Sequence, residues 1–287
     1  MRIEDISSGL TQNAHGIYVS AKSGEVSYSE TGHSDCFQVE DESFWFKHRN
    51  DCIATMIARY PYSDMLLDIG GGNGYVSQRL IAEGRDVMLI EPGQTGAHNA
   101  RTRRGIESVI CAMLGDANFK PHTFGAMGMF DVLEHIEDDR AFLAEIAPLL
   151  IPGGQLYLTI PCHSWLWSQA DVAAGHFRRH TERSLRELLG EHFVIDYMSY
   201  FFRPLVLPLW LLRALPYRLG FGRHQALSTE AEHGANQGIM VSLMTQLLQP
   251  EIGHVRRGER MAFGASCLVA AHAKPPAQCA SEQELRH

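Results

Sequence analysis

The stretch that decides the fold is Leu67-Asp68-Ile69-Gly70-Gly71-Gly72-Asn73-Gly74-Tyr75. It continues the apolar run begun by Met65 and Leu66, and a helical pattern follows it over 75–83. A short apolar run interrupted by a single acid suits a strand buried on both faces of a parallel sheet. Glycines between such a strand and a helix let the backbone turn sharply and approach a ligand closely. The helix start adds unpaired N–H groups and the positive end of the helix dipole.

The spacing restricts the ligand. A dinucleotide loop reads G-x-G-x-x-G. Counted from Gly70, its third glycine falls on Tyr75; from Gly71, its second falls on Asn73; from Gly72, its third falls on Ser77. A phosphate-binding P-loop would need a Lys followed by Ser or Thr, which is absent after Gly74.

Working outward, further strands are expected at 86–90, 108–113, 127–132, 155–160, 193–200 and 265–271, alongside 65–69. Helices are expected at 41–60, 96–104, 140–150 and 182–189, with Asp41 and Ser43 as caps of the first and Pro152-Gly153-Gly154 ending the third. This alternation predicts an α/β fold with a doubly wound, mostly parallel, seven-stranded sheet and helices on both faces. Residues 1–60 read as an N-terminal lid and helix, with weak alternation from Gly16 to Tyr28 that suits a hairpin. Residues 61–200 form the core, 201–263 an inserted apolar helical cap, 264–273 the last core strand, and 274–287 a polar, flexible tail.

Composition narrows the function classes. In 287 residues, 45% are hydrophobic and 20% charged, which excludes wholesale disorder. The net charge of −8 opposes broad electrostatic binding of nucleic acid. The six cysteines form no C-x-x-C pair and read as thiols of a reducing, cytoplasmic compartment. Glu4 and Asp5 interrupt any signal-like apolar stretch at the start. The most apolar segment, 200–219, is broken by Arg203, Arg213 and Arg218 and is too short to cross a bilayer.

The pattern Asp68-x-Gly70-x-Gly72-x-Gly74, with Glu91 closing the second strand of the core and Gly115-Asp116-Ala117 following the third, resembles class I S-adenosylmethionine (SAM)-dependent methyltransferases. The resemblance spans roughly 41–200 and the last strand, and it implies a Rossmann-like fold with SAM as cofactor. Gly70, Gly72 and Gly74 would shape the cofactor loop. Asp68 would support the methionine end, Glu91 would accept both ribose hydroxyls, and Asp116 with Ala117 would contact the adenine. A carboxylate accepting two hydrogen bonds explains the residue type at Glu91.

Asp131-Val132-Leu133-Glu134-His135 follows the fourth strand and resembles the acceptor-side segment of ubiquinone-biosynthesis O-methyltransferases. There an acid-x-x-Glu-His sequence can hold a divalent metal. Asp131 is shorter than the glutamate usual at that place, so no metal ligand is assigned, and Asp131 is counted among the cofactor residues. His135 is the first candidate base, since an imidazole suits deprotonation near neutral pH. The alternative is that Glu134-His135 only holds the loop.

Two further tracts, 43–50 (Ser-Phe-Trp-Phe-Lys-His-Arg-Asn) and 161–181, resemble a bacterial subgroup of the same family. His180 stands where that subgroup has an aromatic residue. Trp45, Trp165 and Trp167 would wall an apolar acceptor, Arg178 and Arg179 would pair with an anionic one, and His176 is a second base candidate. Core packing for the tryptophans and a solvated face for the arginines are the plain alternatives. The apolar residues of 201–219 suit a pocket cap, a dimer face or peripheral contact with a membrane.

The expected function is methyl transfer from SAM to a small or lipid-like acceptor, to oxygen first and to nitrogen as the alternative. A SAM-binding protein without catalysis and an NAD-dependent oxidoreductase remain as rivals; Glu91 alone separates neither SAM from NAD. The sequence leaves the oligomeric state open.

Overall fold

The computed structural model describes residues 2–22, 37, 39–221 and 239–275. The reading of 23–28 as hairpin, most of the tail and two of the six cysteines fall outside them. Nine strands form one sheet: β1 (Leu10–Gln12), β2 (Tyr18–Ser20), β3 (Leu66–Ile69), β4 (Val87–Ile90), β5 (Val109–Cys111), β6 (Phe124–Phe130), β7 (Leu150–Pro161), β8 (Phe193–Phe201) and β9 (Ser266–Ala273). Their order is β1-β2-β5-β4-β3-β6-β7-β9-β8. Seven of them, from β5 to β8 in that order, are the expected sheet. The other two correct the count: β1 and β2 form an antiparallel hairpin, and β2 lies parallel to β5 at the sheet's edge. Strands of three residues with no buried position carry little of the alternation that marks a strand in sequence.

The sheet is parallel except at its two ends. β9 runs antiparallel between β7 and β8, and β1 runs antiparallel to β2. β3 pairs with β4 on one side and with β6 on the other. The chain therefore winds one way through β3, β4 and β5 and then restarts beside β3 at β6. Ligands of open α/β sheets sit at such a reversal, outside the carboxyl ends of the strands. The two segments that leave β3 and β6 there are the glycine loop and 131–135.

Alternation along the strands divides the core into two layers. Leu67, Ile69, Met88, Met127 and Leu158 pack on one face with Leu143, Leu185 and Leu189. Leu66, Val87, Ala126 and Tyr157 pack on the other with Ile53, Met56, Ile57 and Leu80. The helix Phe44–Arg59 is capped by Ser43, whose side chain accepts from the Trp45 N–H.

Several boundaries differ from expectation: the first helix starts at Phe44 behind Ser43, not at Asp41, and the strand expected at 155–160 starts at Leu150. The helix Asp139–Ile146 is shorter than 140–150, and a tight turn Ala147–Leu149 joins it to β7. Pro152-Gly153-Gly154 does not stop a helix; it lies inside β7, where Gly153 takes φ 75° and the pairing with β6 shifts register. Proline and glycine mark bulges as well as ends, and sequence alone does not separate the two.

Beyond β8 the chain runs through a turn Arg203–Leu205, a short helix Val206–Leu209, a π-helical turn Trp210–Ala214 and a helix Leu215–Arg218. The helix Ile239–Arg257 then packs along Phe44–Arg59. Among the described residues, no helix is long and apolar enough to cross a membrane.

Candidate active site at the glycine loop

Gly70, Gly72 and Gly74 adopt φ of 65°, 54° and 82°. This left-handed region admits glycine without a steric cost. A Cβ at Gly70 would lie 2.9 Å from Cγ2 of Val132, so the loop and the segment after β6 are in direct contact. A Cβ at Gly74 would collide with Ile106. Gly74 caps the helix Tyr75–Ala82, and the Gln78 N–H donates to its carbonyl at 2.8 Å.

Glu91 is buried and grips the loop. Its Oε2 accepts from Gly72 N–H at 2.9 Å, and its Oε1 accepts from Gly93 N–H at 2.7 Å. Asp68 is buried below the loop and accepts from the Ser77 hydroxyl at 2.6 Å. Burial pushes its carboxyl up to about 6, against the pull of Ser77 and Arg49. Asn73 donates to Glu40 at 3.1 Å and accepts from Asn99 at 3.0 Å. Glu40 also meets Arg104 at 2.9 Å, yet burial raises its carboxyl above the usual range.

Asp116 lies at the far edge. Lys22, from the segment after β2, reaches it at 3.4 Å. The Ala117 carbonyl accepts from the Ser7 hydroxyl. Beside them, a cavity of about 600 Å³ runs between the N-terminal hairpin and the helix Gln94–Thr102, lined by residues such as His15, Pro92, His98 and Met113.

On the other side of the loop, Asp131 takes a left-handed φ of 59°. It accepts from Thr159 at 2.9 Å and is ion-paired with Arg49 of the lid helix. Burial works against the Arg49 charge, but Asp131 outweighs it and raises the guanidinium above its ordinary value. Arg49 Nε is buried with no partner.

Glu134 is 1% exposed, and neither carboxyl oxygen has a partner. Burial and the neighbouring Asp131 push its carboxyl well above the usual carboxylate range. The His135 ring meets His176 edge-to-face, with centroids 4.7 Å apart. Burial, then His176, lowers His135 to about 4. Glu134, His135 and His176 each bring one donor atom within 4.8 Å of the others, close enough to converge on a cation.

The segment after β7 closes this cluster. Phe177 N–H donates to the Glu134 carbonyl at 2.8 Å. His176 Nδ1 lies 3.0 Å from Asp171 Oδ1. Arg179 clamps the same carboxylate through Nε at 2.6 Å and Nη2 at 3.1 Å. Burial opposes the Asp171 charge, but His176 and Arg179 override it and hold the acid at about 2. Arg178 donates to the carbonyls of Ile136 and Glu137 and pairs with Asp139 at 2.7 Å.

Residues 45–192, a little over half the chain, match the family model described as a methyltransferase domain. The chain belongs to the methyltransferase domain family. It is a class I SAM-dependent methyltransferase, an enzyme with SAM as its cofactor.

Among its relatives, the ubiquinone biosynthesis O-methyltransferase of Erwinia tasmaniensis is 26% identical over 175 residues, which cover 58% of this chain and 72% of that protein. The ubiquinone biosynthesis O-methyltransferase of Pectobacterium carotovorum is 25% identical over 134 residues, covering 44% of this chain and 56% of that one. A SAM-dependent methyltransferase of Mycobacterium tuberculosis is 24% identical over 131 residues, covering 46% and 47%. This methyltransferase thus spans only part of the length of the curated relatives it matches. Solved structures share its fold. The complex of a Haloferax volcanii methyltransferase with the Trm112 activator gives a TM-score of 0.54 at 13% identity, covering 85% of this chain and 95% of that one. Phosphoethanolamine N-methyltransferase 2 of Haemonchus contortus, with SAM bound, gives 0.53 at 16%, covering 88% and 58%.

The methyltransferase gathers most of the residues singled out in the sequence at one sheet edge. Asp68, the glycines and Glu91 meet at the loop, with Asp131, His135 and His176 beside it. Arg178 and Arg179 are engaged by internal acids and carbonyls, so neither presents an unpaired guanidinium to a ligand. Trp45 stacks on Phe202 at 3.9 Å. Trp165 is exposed and stacks on His163 at 5.3 Å, and Trp167 is half-buried. Sequence reading missed Arg49, Ser77 and Asp171. Arg49 stands one turn after Trp45 on the same helix face, a spacing that could have marked it.

Proposed function

We propose that this enzyme transfers the methyl group of SAM to an oxygen of a small or lipid-like acceptor beside the glycine loop and the Glu134–His135–His176 cluster. The observation that carries the proposal is this partly buried polar cluster, whose segment after β6 meets the glycine loop at Val132. A base at the acceptor side is of most use when the attacking atom must lose a proton, as a hydroxyl does.

The residues fit the cofactor. The partnerless Nε of Arg49 suits the methionine carboxylate, and Asp68 suits the ammonium. Glu91 suits the ribose, because a carboxylate can accept from two hydroxyls at once. Asp116 and Ala117 stand for the adenine end, where Lys22 would have to share Asp116. Bound SAM supplies a methyl group already activated by its sulfonium, so orientation carries much of the acceleration.

Of the two histidines, His176 is taken as the base, because Asp171 backs its ring at 3.0 Å, whereas burial lowers His135 to about 4. Trp45, Trp165 and Trp167 flank the approach as apolar surface, while Arg178 and Arg179 brace the loop that carries His176.

The leucines Leu207, Leu211, Leu212 and Leu219 are exposed on the cap, with Arg218 beside them. They support peripheral contact with a membrane and access for a lipid-like acceptor, on an otherwise cytoplasmic enzyme. An amine acceptor is the alternative. The test is methyl-labelled SAM offered with an alkylated catechol and, separately, with the matching alkylamine. A labelled methyl ether is the expected product; label on nitrogen alone would replace the oxygen reading.

A further inference from the structure

Asp171, a buried acid of the segment after β7, accepts from Ser168, His176 and Arg179. We propose that Asp171 is a positioning residue that fixes His176 as the Nδ1–H tautomer, leaving Nε2 as its lone-pair nitrogen. This rests on the reading of His176 as the base and deepens it.

The argument begins with the donors. Oδ1 faces His176 Nδ1 at 3.0 Å and Arg179 Nε at 2.6 Å. Oδ2 accepts from Arg179 Nη2 at 3.1 Å, from Ser168 N–H at 2.9 Å and from the Ser168 hydroxyl at 3.2 Å. A side-on guanidinium holds a carboxylate in one plane and keeps it ionised. An ionised carboxylate only accepts, so the imidazole nitrogen facing it must carry the hydrogen. The neutral ring then has one choice for its lone pair, and that is Nε2. An acid that holds an imidazole in one tautomer from behind is a recurring way to prepare a base.

The surrounding backbone makes the arrangement rigid. The His176 N–H donates to the Asp171 carbonyl at 3.0 Å, and Phe177 N–H donates to the Glu134 carbonyl at 2.8 Å. Arg179 Nη1 reaches the Cys162 carbonyl at 3.3 Å, tying the clamp to the end of β7. The His176 ring is thus held between a charged acid on one side and His135 on the other. Glu134, buried and without a partner, completes a polar wall that the rest of the fold does not use.

The test is long-range ¹H–¹⁵N correlation NMR on histidine-labelled enzyme with S-adenosylhomocysteine bound. His176→Gln identifies the His176 signals by their loss. The expected spectrum shows a pyrrole-type Nδ1 and a pyridine-type Nε2. A dominant Nε2–H tautomer, or an even mixture of the two, overturns the proposal. In Asp171→Asn the side-chain amide can turn its NH₂ to the ring, and His176 should move toward Nε2–H. A variant that folds and keeps the wild-type tautomer also overturns it. If Asp171→Asn does not fold, the wild-type spectrum alone decides. With the labelled-methyl assay above, folded Asp171→Asn should lose tenfold or more in kcat at unchanged KM for SAM. An unchanged tautomer-resolved spectrum in wild type alongside full transfer by His176→Gln would instead sink the base reading and leave the Asp171 assignment standing.

Discussion

His48 and Glu251 are 203 residues apart in the chain and meet at 2.9 Å, both buried. Glu251 Oε2 also accepts from Phe202 N–H, and Oε1 from Arg203 N–H, each at 2.8 Å. One carboxylate therefore joins the lid helix, the turn after β8 and the helix Ile239–Arg257. Glu251→Ala takes the acceptor from His48, from the buried Phe202 N–H and from the part-buried Arg203 N–H, and should cost about 3–5 kcal/mol, as for other broken buried pairs. Denaturant unfolding measures it. A loss under about 1 kcal/mol would mean that the cap and lid are held by apolar packing alone.

Gly74→Ala should be severe. The new methyl group would meet Ile106 at a backbone φ of 82°. Left-handed strain adds roughly 1–2 kcal/mol to an overpacking cost of about 1–3 kcal/mol. Thermal unfolding of the variant should show the sum, and Gly153→Ala, with nothing within 4 Å of the added atom, should show the strain alone.

Arg49→Ala removes the cation paired with Asp131 and the donor proposed for the methionine carboxylate. SAM affinity should fall by about tenfold or more, in line with a lost charge-assisted hydrogen bond of about 1.5–3 kcal/mol. Arg49→Lys should recover only part of it, since a point charge does not replace a planar fork. Calorimetry on both variants decides, and wild-type affinity in Arg49→Ala would remove the residue from the cofactor site.

Asp68 gives the cofactor site a pH dependence. Its folded carboxyl titrates at about 6, above the unfolded range near 4. The folded state therefore holds this proton more tightly, and the contribution of Asp68 to stability declines as pH rises from about 4 to 6. An ammonium partner favours the ionised form, so SAM affinity should rise through about pH 6. At pH 5 it should be roughly tenfold weaker than at pH 7.5, one pKa unit being a factor of ten. Calorimetry at the two values in wild type and Asp68→Asn checks this; the variant should lose the difference.

Much of this was legible before the structure because the signals are local. Leu66–Ile69 and the glycines after it carry their own geometry, and Glu91 ends the next strand. The hairpin β1–β2 was not legible as part of the sheet, because strands of three half-exposed residues bury too little to leave a pattern. Nor was the fate of Arg178 and Arg179. A guanidinium that will clamp Asp171 looks the same in sequence as one that awaits an anion. Glu251 reads as a solvated helix residue until Phe202 and His48 are placed against it. Asp171 lies only five residues before His176, but nothing local shows that Arg179 folds back to keep it charged.

The central claim is that the loop from Gly70 to Gly74, with Glu91, holds SAM. The most direct measurement is calorimetric titration of wild type and Glu91→Ala with S-adenosylhomocysteine, with NAD(H) as the counter-ligand. Micromolar binding by wild type, a loss of about tenfold or more in Glu91→Ala and no response to NAD(H) are the expected results. Equal affinity in wild type and Glu91→Ala would contradict the placement of the cofactor.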